Sequence, residues 1–190
     1  MVEGYEGVKF KVERFQRAPL PKDCLEKAAE LSALAKKLAG MGLEFESGGN
    51  ISVRVERGFL IKPAGKSFGE LEPDDFVLVR EFDSEGFVLN NAVGNSEPSS
   101  ETGMHACIYS SHPEVNAVVH TNDLELAKKC VPKIPRVGPQ PYGTKRLSRE
   151  VCTALEGSVF VVLEGHGVVA VGASVEEAFQ NLVSEMKRAF

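Results

Sequence analysis

Three short segments place polar, chemically capable side chains where a buried core would favour apolar ones. The first is Ser47-Gly48-Gly49-Asn50-Ile51-Ser52-Val53-Arg54, a glycine turn feeding a strand-like run. Glycines let backbone N–H groups approach an anion closely, and the Asn50 amide adds a donor. Alone, the same string also reads as an ordinary turn. The second runs from Glu97 through Pro98, Ser99, Ser100 and Glu101 to His105. Pro98 stands where a helix can begin, which puts both serines in its first turn. Helix N–H groups and two hydroxyls together favour an anion. Glu101 falls in that turn too, either as a reactive carboxylate or as an acid complementing the helix dipole. His105 lies one turn further along the same face, where packing and hydrogen bonding are an imidazole's ordinary role.

The third segment is a pair of histidines on apolar strands. In Val118-Val119-His120-Thr121-Asn122, period-two alternation sets His120 and Asn122 on one face. In Glu164-Gly165-His166-Gly167-Val168, His166 sits between glycines in a tight turn. Each histidine taken singly also fits a structural role. With one carboxylate they make two nitrogens and one oxygen, a set suited to Zn²⁺, Fe²⁺, Co²⁺ or Mn²⁺.

The intervening pattern must position these groups. Residues 1–20 lack a period and read as an N-terminal arm. Leu25, Ala28, Leu31, Leu34, Ala35 and Leu38 recur at helical spacing, and glycines at 40 and 42 end the run. Strand signals follow at 51–55, 59–61, 76–79 and 87–89, separated by Gly, Asp or Pro turns. Residues 99–111 predict a helix, 115–120 a strand and 123–130 a short helix. A proline-rich connection comes next. From Lys128 to Arg149 it carries Lys128, Lys129, Lys133, Arg136, Lys145, Arg146 and Arg149 without one acid. It is an anion-attracting loop, a subunit contact or a solvated connector. A helix at 147–155, strands at 159–163 and 168–171, and a final helix opened by Ser174 with Glu177 at capping-box spacing complete the chain. Hairpin-like strands with helices before, between and after them imply an α/β domain whose central sheet is mainly antiparallel.

Bulk composition bounds the function. At 190 residues, 43% apolar and 26% charged, the chain suits one soluble domain spanning 1–190, expected in the cytoplasm. Its 27 acids against 22 bases give −5, which argues against nucleic acid as a partner. No run approaches the length of a membrane span, and no membrane partner is expected. Cys24, Cys107, Cys130 and Cys152 form no CxxC pair and read as four reduced thiols.

The motifs GGNISVR, LIKPAGKSF, EPSSETGMHACIY, VNAVVHTN and LEGHGVVAVG, in this order, resemble the class II aldolase/adducin family, which includes the fuculose-phosphate aldolase. The resemblance spans about residues 24–188. It implies an α/β/α sandwich and a homo-oligomer, usually a tetramer, with active sites between subunits. It further implies a lyase that cleaves a carbon–carbon bond of a small phosphorylated sugar through an enediolate. A divalent metal, zinc by family or else Mn, Co, Fe or Mg, is the implied cofactor.

Carried over by position, Gly49 and Asn50 match the first phosphate-binding turn, Gly65 the second, and Ser99 and Ser100 the serines that hold phosphate. Glu101 matches the catalytic carboxylate, a general base whose pKa must be raised by burial or by substrate phosphate. His120 and His166 match two of three metal-binding histidines. Three departures stand out. Asn122 occupies the third histidine's place, and Ala64 replaces the hydroxyl residue before Gly65. The stretch after 123–130 is short and lacks the family's proton-donor tyrosine, with Tyr142 the nearest substitute. Epimerisation and water elimination use the same motif set. An adducin-like binding or assembly protein that has lost part of the metal site is the alternative from another class.

Overall fold

Strand periodicity sorts the apolar side chains onto the two faces of one sheet. The computed structural model describes residues 7–44 and 48–190; Ser47 and the first six residues of the expected arm lie outside the described residues. The strands are β1 (Lys11–Val12), β2 (Phe15–Arg17), β3 (Asn50–Val55), β4 (Gly58–Ile61), β5 (Val77–Asp83), β6 (Val88–Gly94), β7 (Ala117–Thr121), β8 (Arg136–Val137), β9 (Phe160–Leu163) and β10 (Gly167–Gly172). They lie in the order β1-β6-β5-β4-β3-β7-β10-β9-β8, with β2 also on β6. The central pairs are antiparallel, and β1, β2 and β8 add parallel pairs at the edges.

Helices α1 (Leu25–Gly40), α3 (Leu124–Lys129) and α5 (Val175–Ala189) cover one face, and α2 (Thr102–Ser111) and α4 (Lys145–Ala154) the other. Neighbouring strand residues part accordingly. Ile51, Leu78, Val119 and Val168 pack with Leu31 and Leu182, while Val77, Val118 and Val169 pack with Met104, Ile108 and Val151. This is the expected α/β/α sandwich. Asp123 caps α3 through Leu126 N–H, Thr144 caps α4, and Ser174 caps α5 through Glu177 N–H. The Glu177 carboxylate reaches back to Ala173 N–H, one residue before the cap. Among the described residues no helix is long and apolar enough to cross a membrane.

Several elements differ from the sequence reading. Part of the arm is sheet, because Phe10 anchors it against Phe82 and Phe87, with ring centroids 5.4 and 6.3 Å away. One aromatic anchor has no period to betray it. Strands β5 and β6 each run seven residues, longer than expected. Their pairing shifts register around Glu81, and the Asn90-Asn91 pair interrupts the apolar pattern. The proline-rich connection contains β8, and several of its cations are engaged by neighbouring groups. Arg136 donates to the carbonyls of Ala127 and Cys130 that end α3, Arg149 pairs with Glu85, and Lys128 pairs with Glu125. That is a pinned connector.

Helix α2 begins at Thr102, three residues later than expected. Pro98 bridges Pro63 in a strand-like pair, Ala64 N–H donates to Glu97 O at 2.9 Å, and Ser99 N–H donates to Lys62 O at 3.1 Å. Ser99 is thereby held ahead of the helix, and Ser100 and Glu101 form the turn into it.

One glycine fixes how closely the site elements meet. Gly49 has φ +82°, and a Cβ there would stand 2.8 Å from the His120 carbonyl oxygen. Gly65 also has positive φ (+71°) but opens on space. Gly65→Ala should therefore lose about 1 kcal/mol from backbone conformation alone. Gly49→Ala should lose distinctly more, because β3 must also move off β7. Urea unfolding of the two variants reads the difference.

Candidate active site

The sheet face beneath α2 is apolar except along one stripe. Asn50 and Ser52 share that face of β3 because Ile51 and Val53 point to the other. Asn50 pairs in register with His120 on β7, and Ser52 with Val118. Helix α2 lowers a matching stripe: Glu101 at its N-cap position, then His105 and Tyr109 at four-residue intervals. Arg54 secures the far end, donating to the carbonyls of Tyr109 at 2.9 Å and Val115 at 3.1 Å.

The two stripes meet in a continuous buried relay. Tyr109 and Ser52 hydroxyls are 2.7 Å apart, and Ser52 Oγ is 2.6 Å from His105 Nδ1. His105 Nε2 meets Asn50 Oδ1, and Asn50 Nδ2 donates to Glu101 Oε2 at 2.8 Å. The carboxylate sets every proton along this path. Because Oε2 only accepts, the Asn50 amide must present Nδ2 to it, leaving Oδ1 for His105. His105 Nε2 must then carry hydrogen and donate. Burial pushes the His105 pKa down to about 3, so the ring is neutral and Nδ1 accepts. The Ser52 hydroxyl therefore donates to Nδ1, and Tyr109 donates to Ser52.

At the other end, His120 Nε2 lies 3.0 Å from Glu101 Oε2 and 3.3 Å from His166 Nε2. His166 Nε2 is 3.5 Å from Glu101 Oε1. His166 comes from the expected turn, Glu164 to Gly167, joining β9 to β10. His120 Nδ1 donates to the Val168 carbonyl at 2.9 Å, which turns Nε2 toward Glu101. Glu101 is only 4% exposed, yet its Oε1 has no hydrogen-bond partner. Asn122 stands beside His120, and its side chain helps to raise the His120 pKa.

These donors suit a small divalent cation. Glu101, His120 and His166 can each offer a ligand atom, all within 4.8 Å of one another. Donors about 2.0–2.1 Å from a tetrahedral ion stand about 3.3 Å apart, close to the spacings found. The electrostatics agree. Burial alone would raise the Glu101 pKa, but the His120 and His166 charges, with hydrogen bonds from His120 and Asn50, hold it well below the usual carboxylate range. The raised pKa expected of a general base is thus not the ground state of this site. Burial disfavours charge on His120, yet the Glu101 charge and hydrogen bond prevail and move its pKa upward.

Of the remaining expected residues, the two serines directly precede Glu101 and Gly65 lies in a turn tied to their segment. Ser99 Oγ accepts from Glu101 N–H at 3.2 Å, and Ser100 follows it in the turn. The backbone of Gly143 packs on the Ser100 carbonyl. Gly65 lies in the turn tied to Glu97 and Ser99. The Asn50 side chain is engaged by Glu101 and His105, leaving backbone as that turn's offer to an anion. Tyr142 stacks beneath Lys9, whose Nζ is 4.2 Å from the ring centroid. Sequence reasoning missed Ser52, Tyr109 and Lys62. The first two are legible only when the 101/105/109 spacing is set against alternation on β3. Lys62, 2% exposed, follows directly on apolar β4; burial lowers its pKa to about 8 against the pull of Glu44 and Glu101.

The relay makes unequal demands on its members. Ser52→Ala strands both His105 Nδ1 and the Tyr109 hydroxyl, at about 1–3 kcal/mol for each buried group. Tyr109→Phe removes one donor and leaves the Ser52–His105 bond intact. Urea unfolding should therefore show the serine variant as the less stable.

The chain is similar to known proteins both in sequence and in fold. The family model described as Class II Aldolase and Adducin N-terminal domain matches residues 29–127 and 122–189. The 5-methylthioribulose-1-phosphate/5-deoxyribulose-1-phosphate aldolase of Rhodospirillum rubrum is 33% identical, over 77% of this chain and 71% of that protein. An L-fuculose phosphate aldolase of Methanococcus maripaludis is 34% identical, over 70% of this chain and 77% of that one. A solved L-fuculose 1-phosphate aldolase superposes with a TM-score of 0.72 at 27% identity, over 90% of this chain and 84% of the other. The chain belongs to the class II aldolase/adducin family.

Proposed function

We propose that this protein is a divalent-metal-dependent lyase that cleaves a carbon–carbon bond of a small sugar phosphate, as an aldolase does. One observation carries the reading: a buried carboxylate with one unpartnered oxygen faces two imidazole nitrogens. His120 and His166 would hold the metal, with Glu101 facing it as the base and the Asn122 amide where the family usually has a third imidazole. A bound divalent cation supplies Lewis acidity to substrate oxygens, easing the negative charge that develops as the bond breaks.

The chain's own groups do the rest. Glu101 Oε1 accepts and returns the proton, while Asn50 and the relay hold Oε2 still. Substrate phosphate settles on Ser99, Ser100 and the backbone of the Gly49 and Gly65 turns. Lys62 supplies positive charge nearby. The phosphate's own charge raises the proton affinity of Glu101, the direction a general base requires. The family resemblance favours a cytoplasmic homo-oligomer, with a tetramer preferred.

Steady-state kinetics with zinc- or manganese-loaded protein test the reading, using L-fuculose 1-phosphate and 5-methylthioribulose 1-phosphate as first substrates. Glu101→Gln should lower kcat by about 10²- to 10⁴-fold. Ser100→Ala should chiefly raise KM. The active preparation should sediment at equilibrium as several chain masses. Wild-type activity matched by Glu101→Gln would reject the assignment.

Asn122 favours the adducin-like reading, because an amide oxygen is a poor substitute for imidazole on zinc. Calorimetry separates the two. Asn122→His should bind zinc about 10- to 100-fold more tightly than wild type, judging from the size of outer-shell effects. Failure of both proteins to bind any divalent ion would favour the non-catalytic assembly protein.

A further inference from the structure

Two of the four free thiols are adjacent. Cys107 on α2 and Cys152 on α4 have their Sγ atoms 2.7 Å apart, while Cys24 and Cys130 are buried elsewhere in the core on the opposite face of the sheet. A disulfide bond is about 2.05 Å long, so a small side-chain movement closes the gap. The two thiols also differ in setting. Cys107 is partly exposed, and Cys152 is 7% exposed behind it.

We propose that Cys107 and Cys152 are an oxidisable dithiol, which a hydroperoxide converts to an intramolecular disulfide clipping α2 to α4. The Cys107 thiolate attacks a peroxide oxygen and the O–O bond breaks. Cys107 becomes a sulfenic acid, and the departing hydroxide takes up a proton to become water. Cys152 sulfur then attacks Cys107 sulfur. The S–S bond forms, the S–O bond breaks, and the Cys152 proton leaves with the hydroxyl as a second water. Two thiols give up two electrons, and one hydrogen peroxide is reduced to two waters.

The surroundings divide the roles in this order. The hydrogen bond from Cys152, with Ser111 and the Arg149 charge, outweighs burial and lowers the Cys107 pKa, favouring the attacking thiolate. The contact with Cys107 and burial both raise that of Cys152, which suits a resolving thiol. Cys24 and Cys130 are raised by burial and serve as internal controls. The bond would join the helix following Glu101 to the one following Gly143, whose backbone packs on Ser100. Oxidation therefore ties α4 to the helix that follows the Ser99–Ser100 turn.

The test treats the reduced full chain with equimolar hydrogen peroxide, then alkylates it and measures intact mass. The expected result is loss of two hydrogens, a fall from four alkylatable thiols to two, and a linked peptide pair containing Cys107 and Cys152. Dithiothreitol should restore four thiols. The oxidised protein should melt several degrees higher than the reduced one. In Cys152→Ser, dimedone should trap a sulfenic acid at Cys107. Persistence of four thiols, a bond mapping to Cys24 or Cys130, only disulfides between chains, or an unchanged melting temperature would each overturn the proposal. None of these readouts involves metal or sugar phosphate, so the result stands apart from the aldolase reading.

Discussion

A carboxylate placed almost wholly out of water must be met by donors and positive charge, because an isolated buried anion would protonate or unfold its surroundings. Glu101 is that carboxylate, and the arrangement of three elements answers to it. Strand β3 supplies the Asn50 amide, β7 supplies His120, and the β9–β10 turn supplies His166. One oxygen receives Asn50 and His120. The other faces His166 without a hydrogen bond. Polar burial of this kind stabilises only when its members are mutually satisfied. The exception at Oε1 therefore carries functional meaning.

The same constraint reaches outward through single-direction hydrogen bonds. Asn50 can serve Glu101 only if its carbonyl is held, His105 can hold it only as the Nε2–H tautomer, and that tautomer needs the Ser52 hydroxyl. Tyr109 completes the path, and Arg54 ties the end of α2 to the strand that begins at Asn50. Helix α2 is thus positioned by polar chemistry on one stripe and by Met104 and Ile108 packing beside it. On the opposite side, the absence of a side chain at Gly49 lets β3 approach β7, and the Val168 carbonyl orients the His120 ring. Close backbone approach and imidazole orientation belong to one assembly.

Asn122 keeps an oxygen beside His120 but gives up imidazole's preference for zinc. The connection after α3 is pinned by Arg136 on the carbonyls that end that helix.

The sequence by itself determined the layers and singled out the polar residues at the centre of the candidate site. Alternation on β3, β7 and β10 assigns each side chain a face, and Asn50, His120 and His166 stand out as polar residues in apolar runs. The helical spacing of α1 and the cap of α5 are likewise local signals, legible because near neighbours create them. Tertiary structure decided what depends on distant residues. Pro98 is drawn into a bridge with Pro63, which delays α2 to Thr102. Phe10 brings the arm onto β6, and β8 exists only because β9 is there to pair with it. The direction of every proton in the relay, the lowered Glu101 pKa and the meeting of Cys107 with Cys152 are of the same kind. Each arises between groups dozens of residues apart, where pairing energy depends on distance and burial that no local pattern encodes.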